Sequence, residues 1–154
     1  MLRIVHAVEA PDIERVRALF KEYEQSLGVD LCFQGFAQEL ATLPGAYAPP
    51  RGRLLLALDG DDAAGCGALR PLGDDVCEMK RLYLRATLRG RGAGRILARR
   101  IMDEARAIGY RTMRLDTLPM MKDAIALYER LGFRPIAPYY ANPVPGALFL
   151  ERAL

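Results

Sequence analysis

The order of apolar and polar positions divides the chain into short strands and amphipathic helices. Apolar runs or alternating patterns predict seven strands, at residues 2–8, 53–58, 63–69, 76–84, 112–115, 133–136 and 147–153. Helical spacing predicts four helices, which follow Asp12, lie within residues 30–43, follow Gly94 and cover residues 124–131. Short turns join the second, third and fourth strands, and the later helices provide crossovers. We therefore expect an α/β domain with a mixed, mostly antiparallel seven-stranded sheet.

The loop before the third predicted helix contains Arg89, Gly90, Arg91, Gly92 and Gly94. A strand followed by a glycine-rich loop and a helix is suited to phosphate. Glycine lets the backbone approach an anion, and the first helical N–H groups have no partner within the helix. The two arginines add charged, forked donors for phosphate oxygens. The sequence therefore predicts a phosphate-bearing ligand at this loop.

Two other phosphate-binding motifs match the loop less well. A P-loop requires Gly-Lys-Ser or Gly-Lys-Thr, and the chain has neither tripeptide. A dinucleotide fingerprint requires a third glycine where Arg95 stands, although Asp116 follows at about the position of a ribose-binding acid. The loop also comes late in the chain, which leaves little sequence for a doubly wound domain. The dinucleotide hypothesis stays open at this point as an alternative.

The composition of the chain restricts the classes of function that it can have. The 154 residues correspond to one domain, and the net charge of +3 is too small and too dispersed to indicate nucleic-acid binding. The three cysteines lack metal-type spacing, and His6 is the only histidine, so we expect no metal site. No apolar run approaches the roughly 18 residues of a membrane span. We therefore expect a cytoplasmic protein that binds neither membrane nor nucleic acid.

Two motifs that follow one another along the chain resemble motifs of the GNAT superfamily of acetyl-CoA-dependent N-acyltransferases. The spacing Arg89-x-x-Gly92-x-Gly94 resembles the family's pyrophosphate-binding signature, and residues 124–133, with Tyr128, resemble its late helix. The resemblance implies one N-acetyltransferase domain over residues 1–154, with about four helices flanking a sheet whose fourth and fifth strands splay apart. It implies transfer of an acetyl group from acetyl-CoA, without a metal, to a primary amine of a small-molecule or peptide acceptor. A homodimer is common in the family, and a non-catalytic acyl-CoA-binding module remains the alternative.

The resemblance also assigns the cofactor contacts. The backbone of Leu82, Tyr83 and Leu84 would contact the acetyl group and pantetheine. The pyrophosphate would be held by the loop residues Arg89, Gly90, Arg91, Gly92, Ala93 and Gly94. Many family members carry an asparagine where this chain has Met121, so a side-chain contact to the cofactor is in doubt at that position.

Two residues are candidates for proton transfer, and three for the acceptor site. Tyr128 matches the family tyrosine that protonates the leaving thiolate, although it also fits the buried stripe of its helix. Glu78 is the candidate general base, or else a solvated strand residue paired with Lys80 or Arg81. Strict alternation places Glu78 on the face of Lys80, Leu82 and Leu84 unless a bulge changes the register. Phe33, Tyr139 and Tyr140 are the tentative acceptor-site residues.

Overall fold

The computed structural model describes residues 2–154, and its strands and helices follow one another in the order that the sequence predicts. The strands are β1 (Leu2–His6), β2 (Arg53–Asp59), β3 (Asp62–Pro71), β4 (Val76–Leu84), β5 (Thr112–Thr117), β6 (Arg134–Ile136) and β7 (Leu148–Ala153). The helices are α1 (Ala10–Leu27), α2 (Phe36–Thr42), α3 (Ala93–Ile108) and α4 (Lys122–Arg130). None of the helices within residues 2–154 has the length and hydropathy required to cross a membrane.

The strands form one seven-stranded sheet in the order β1-β2-β3-β4-β5-β7-β6. Only the pair β4–β5 is parallel, and the other five neighbouring pairs are antiparallel. The prediction of a mixed, mostly antiparallel sheet is therefore confirmed. A dinucleotide-binding domain requires a mostly parallel, doubly wound sheet, so the fold excludes that alternative.

Each face of the sheet has its own apolar core. The third helix packs on one face through Leu97, Ala98 and Ile101, as its apolar stripe predicts. Helices α1 and α2 cover the other face, where Phe20 and Phe36 are buried. Both cores bury apolar surface against the sheet, and this burial is the main stabilising contribution to such a layered fold.

The parallel pair β4–β5 separates after three residue pairs. Pairing stops at Glu78 and Arg114, although both strands continue beyond these residues. The predicted splay between the fourth and fifth strands is therefore confirmed. The edge of β4 that faces β5 carries backbone groups without strand partners beyond Glu78, and a cleft opens beside them.

A bulge in β4 decides which side chains face this cleft. The register between β3 and β4 shifts between the pairs Cys66–Tyr83 and Ala68–Lys80, and Arg81 has φ = 60°. A positive φ at a residue other than glycine is uncommon and costs on the order of 1–3 kcal/mol. The extra residue makes the side chains of Lys80 and Arg81 follow one another on the same face. The bulge that the sequence left open is therefore present, and Glu78 does not share a face with Leu82 and Leu84, which pack against the α3 side.

Residues 30–43 hold the predicted short helix, but the helix occupies only the second half of this segment. A 3₁₀ turn covers Cys32–Gln34, and Gly35 has φ = 70° before α2 begins at Phe36. A left-handed glycine ends a right-handed helix, which accounts for the interruption. The consequence is functional, because the turn presents Phe33 and Gln34 to the splayed strands.

Candidate active site

The cleft between β4 and β5, together with the open solvent at its mouth, has about 520 Å³ of space free of protein atoms. One side of its lining is apolar and includes Leu27, Leu31 and Phe33. Charged side chains, among them Lys80 and Asp116, lie at the splayed strands. The cleft therefore offers apolar walls together with a few polar groups, which is typical of a small-molecule site.

The β4 edge supplies backbone groups at the three residues predicted to contact the cofactor. Leu82 lines the cleft, and the β4–β5 pairing has already ended before it. Tyr83 directs its ring toward α1, where it packs on Tyr23 at 5.9 Å between centroids. The Leu84 carbonyl accepts a hydrogen bond from Arg89 Nε at 3.0 Å. The unpaired N–H groups of such an edge are suitable donors for a carbonyl or an oxyanion.

The glycine-rich loop has the geometry of an anion site. Gly90 and Gly92 have φ values of 75° and 74°, and Gly92 caps α3. Ile96 N donates to Gly92 O at 3.1 Å and makes the first bond of the helix, so the three preceding amides have no helical acceptor. A Cβ at Gly94 would lie 3.3 Å from Leu84 Cδ1, so glycine allows α3 to begin close to β4.

The predicted loop arginines are exposed, and each is held by two local contacts. Arg89 also lies over the Tyr83 ring, with 5.9 Å between its guanidinium carbon and the ring centroid. Arg91 donates to Thr87 O at 3.1 Å and lies 3.7 Å from Asp59 Oδ2. Both guanidinium groups therefore remain near the free amides of α3, where an anionic ligand would find them.

Tyr128 lines the cleft from α4. Its side chain is buried and its ring packs on Phe133 at 5.8 Å, so the predicted core role is present. Its hydroxyl makes no hydrogen bond within residues 2–154. Burial raises the pKa of Tyr128, which keeps the phenol protonated. Met121 also lines the cleft, and its sulfur accepts a hydrogen bond from the Thr117 hydroxyl at 3.7 Å.

Glu78 is buried behind the cleft instead of being solvated. Its side chain is 1% exposed and is absent from the cleft lining. Oε1 accepts a hydrogen bond from Arg70 Nε at 2.8 Å, and Oε2 accepts one from the Tyr139 hydroxyl at 2.5 Å. The alternative of a solvated glutamate paired with Lys80 or Arg81 was therefore wrong, because Arg70 on β3 is the partner.

Asp116 is the carboxylate that lines the cleft. Its side chain is 6% exposed, and Lys80 Nζ lies 3.7 Å from its Oδ1. Its Oδ2 accepts a short hydrogen bond from the Tyr140 hydroxyl and another from Asn142 Nδ2 at 3.2 Å. Burial lowers the pKa of Lys80, although the nearby carboxylates oppose this shift.

Gln34 joins these charged groups. Its Oε1 accepts hydrogen bonds from Lys80 Nζ at 3.1 Å and Arg81 Nη1 at 2.7 Å. Its Nε2 donates to the Tyr140 hydroxyl at 2.9 Å and lies 3.4 Å from Asp116 Oδ2. The sequence does not indicate these contacts of Gln34, because its partners are 46 to 106 positions away along the chain.

The three tentative acceptor-site residues are brought together only in part. Phe33 lines the cleft, whereas Tyr139 and Tyr140 stand behind it and pack on Phe149 at 5.1 and 5.3 Å. Their hydroxyls contact Glu78 and Asp116 respectively. The two tyrosines thus connect the two carboxylates to the loop between β6 and β7.

Comparison with known proteins agrees with this geometry. The family model described as "Acetyltransferase (GNAT) family" matches residues 13–133. An N-acetyltransferase of Schizosaccharomyces pombe is 40% identical over 96% of this chain and 92% of its own length. The crystal structure of an acetyltransferase from Streptococcus agalactiae aligns with a TM-score of 0.83 at 21% identity, covering 99% of this chain and 98% of that one. The structure of a Salmonella typhimurium protein with its cofactor acetyl-CoA aligns with a TM-score of 0.69 at 18% identity, covering 99% of this chain and 94% of that one.

Proposed function

The chain belongs to the GNAT family of acetyltransferases, and we propose that it transfers an acetyl group from acetyl-CoA to a primary amine by direct attack in a ternary complex. One observation carries the proposal. The unpaired edge of β4 runs along the cleft toward the glycine-rich loop at the start of α3. A thioester at this edge and a pyrophosphate at the loop match the two groups that flank the pantetheine arm of acetyl-CoA.

The proposed cofactor contacts follow from this placement. The amides between Gly90 and Gly94 and the side chains of Arg89 and Arg91 bind the pyrophosphate. The backbone of Leu82, Tyr83 and Leu84 binds pantetheine and the thioester carbonyl. The structure of the Salmonella typhimurium relative with acetyl-CoA supports this co-substrate.

The chemistry requires two proton transfers. The amine nitrogen attacks the thioester carbonyl carbon, the C–N bond forms and the C–S bond breaks. The CoA thiolate that leaves receives a proton from the Tyr128 hydroxyl, which is buried, protonated and without another hydrogen-bond partner in residues 2–154. Glu78 receives the amine proton through the Tyr139 hydroxyl, which lies 2.5 Å from its carboxylate. The activated thioester removes the need for a covalent enzyme intermediate.

The first experiment is calorimetric titration of acetyl-CoA into the protein and into its Gly92→Glu variant. Gly92 has open space around it, so the new carboxylate enters the anion site without a steric clash. The control is Gly109→Glu, at the other end of α3, where φ is also positive and the space is also open. Binding lost only in Gly92→Glu supports the cofactor site, and no binding by the unmodified protein would refute the proposal.

A turnover measurement distinguishes an enzyme from the alternative, an acyl-CoA-binding module that only senses its ligand. Tyr128→Phe and Glu78→Gln are expected to bind acetyl-CoA normally but to release CoA slowly in the presence of an amine. A binding module would release no CoA above the rate of spontaneous hydrolysis, whichever variant is tested.

A further inference from the structure

A second cavity lies beside the cleft, under the chain segment that includes α2. It contains about 490 Å³ of empty space and is lined by residues that include Gln34, Glu39, Tyr47 and Arg70. Gln34 lines both cavities, so its side chain stands between them. A ligand that extends past Gln34 would reach the cleft from the second cavity.

The Tyr47 hydroxyl has no hydrogen-bond partner within residues 2–154 although it is buried. Tyr47 is 2% exposed and lines the second cavity. A buried polar group without a partner costs about 1–3 kcal/mol, so such groups usually meet a ligand or a water molecule. Burial raises the pKa of Tyr47 and the nearby Glu39 carboxylate adds to this shift, so the phenol is neutral and offers a donor.

Arg70 provides the second set of donors. Its Nε is bonded to Glu78, but its two terminal nitrogens make no hydrogen bond within residues 2–154. Its side chain is 38% exposed and lines the cavity. The other charged lining residue, Glu39, already accepts two hydrogen bonds from Arg81 at 2.9 Å. The donors without partners therefore favour a carboxylate ligand.

The sheet register gives the distance between the two ends of such a ligand. Arg70 pairs with Glu78, and Ala68 pairs with Lys80, the neighbour of Asp116. Two residues along a strand span roughly 7 Å. An amine and a carboxylate on the same carbon are too close to reach both places, whereas a carboxylate several bonds from the amine is not.

We propose that the acetyl acceptor is a small amino carboxylate. Its amine enters the cleft beside Asp116, and its carboxylate, several bonds away, binds Arg70 and Tyr47 in the second cavity. This inference rests on the proposed acetyl transfer for the role of the amine, but not for the carboxylate site. Gln34 then contacts the middle of the acceptor and positions it.

The test compares acceptors that differ only in the carboxylate. CoA release is measured with glycine, β-alanine, 4-aminobutyrate, 5-aminopentanoate and glutamate, and with the n-alkylamines of matching length. We expect kcat/KM for the amino carboxylate whose length fits both places to exceed that for its alkylamine about tenfold or more. Glycine should show no such gain, because its carboxylate lies too close to its amine. Equal kcat/KM for amino carboxylates and alkylamines at every length, or turnover with neither, would overturn the inference.

One variant locates the effect, because Tyr47 makes no hydrogen bond to the proposed proton acceptor Glu78. Tyr47→Phe should raise KM for the preferred amino carboxylate about tenfold, and leave KM for the matched alkylamine unchanged. The same losses in both series would mean a general structural defect and would contradict the carboxylate site.

A direct titration keeps this inference distinct from the proposed function. The same amino carboxylates are titrated into the protein without acetyl-CoA. Binding that is lost in Tyr47→Phe supports the second cavity as the carboxylate site, even if acetyl-CoA fails to bind. Normal binding of acetyl-CoA together with no binding of any amino carboxylate, alone or with CoA present, refutes the acceptor class alone.

Discussion

The Tyr139 hydroxyl donates a hydrogen bond to Oε2 of Glu78 across 2.5 Å. Burial and the neighbouring carboxylate raise the pKa of Tyr139, so its proton stays on the phenol. Within residues 2–154, this hydroxyl is the only group of the loop between β6 and β7 (residues 137–147) that makes a hydrogen bond to Glu78. This hydrogen bond joins the phenol to the buried carboxylate, and the proposed proton path to Glu78 depends on it.

We expect Glu78→Gln and Tyr139→Phe each to lower kcat by about 100-fold, because both remove the proposed proton path. The affinity for acetyl-CoA should not change, because neither side chain lines the cleft. The measurement is CoA release at saturating acetyl-CoA, beside calorimetry. Tyr110→Phe is the matched control, since its hydroxyl bonds Arg51 O at 2.8 Å, away from the cleft. Unchanged kcat in both variants would remove Glu78 from the mechanism.

Asp116→Asn should act differently from Glu78→Gln. Asp116 lines the cleft and is proposed to bind the amine, whereas Glu78 is proposed to receive its proton. We expect the asparagine to raise KM for the acceptor roughly tenfold with a smaller effect on kcat. A steady-state comparison of the two variants measures this split. A larger fall in kcat for Asp116→Asn than for Glu78→Gln would make Asp116 the general base.

Tyr128→Phe should lower kcat at least tenfold, because the thiolate then leaves without a proton donor. Packing on Phe133 is preserved, so the free energy of unfolding should change little. Since burial raises the pKa of Tyr128, the unmodified protein should not lose activity at alkaline pH through this group. The pH profile of kcat and a denaturant titration check both statements. Equal kcat for the two proteins would leave Tyr128 with a packing role only.

Arg89→Ala and Arg91→Ala should each weaken acetyl-CoA binding about tenfold, because each removes a charged donor from the loop. The loss should shrink as salt is added, since the contacts are exposed and screened. Arg99→Ala is the control, because Arg99 is an exposed arginine on the solvent side of the same helix. Calorimetry at two salt concentrations makes the comparison. An equal effect of all three substitutions would point to general electrostatic attraction instead of a specific site.

From the surroundings of Glu104 we expect the free energy of unfolding to depend on pH. Burial raises its pKa, but hydrogen bonds from Arg100, Arg53 and His6 lower it more, so the net pKa is below its usual 4.5. A carboxyl with a depressed pKa in the folded state stabilises the protein above the unfolded pKa, and this stabilisation disappears as the pH falls through the folded pKa. Glu104→Gln should therefore cost on the order of 1 kcal/mol at pH 7 and less at pH 3. Urea unfolding at both pH values measures the difference, and an equal cost at both would show that the charge of Glu104 is unimportant.

Local patterns in the sequence were enough for most of the fold. The apolar stripe of α3 predicted the face that packs on the sheet, because helical period and burial are linked directly. The glycines and arginines from Arg89 to Gly94 predicted an anion site, since they act within one short loop. The motif around Tyr128 likewise placed that residue on a helix, and the structure places it at the cleft.

The electrostatic network of the site could not be predicted in this way. Strict alternation failed at Arg81, because a bulge depends on how β3 and β4 pair and on the partners that hold the arginine. Arg70 and Tyr139 approach Glu78 only after the sheet and the last loop are assembled.

The sequence by itself determined the family, the phosphate-binding loop and the order of strands and helices, because these follow from spacing between near neighbours. Only the tertiary structure decided that Glu78 is buried, that Asp116 faces the cleft and that Gln34 separates two cavities. Burial, pKa and hydrogen-bond partners are properties of packed surroundings. Distant parts of the chain supply those surroundings here, as Gln34 and Tyr140 show across 106 positions.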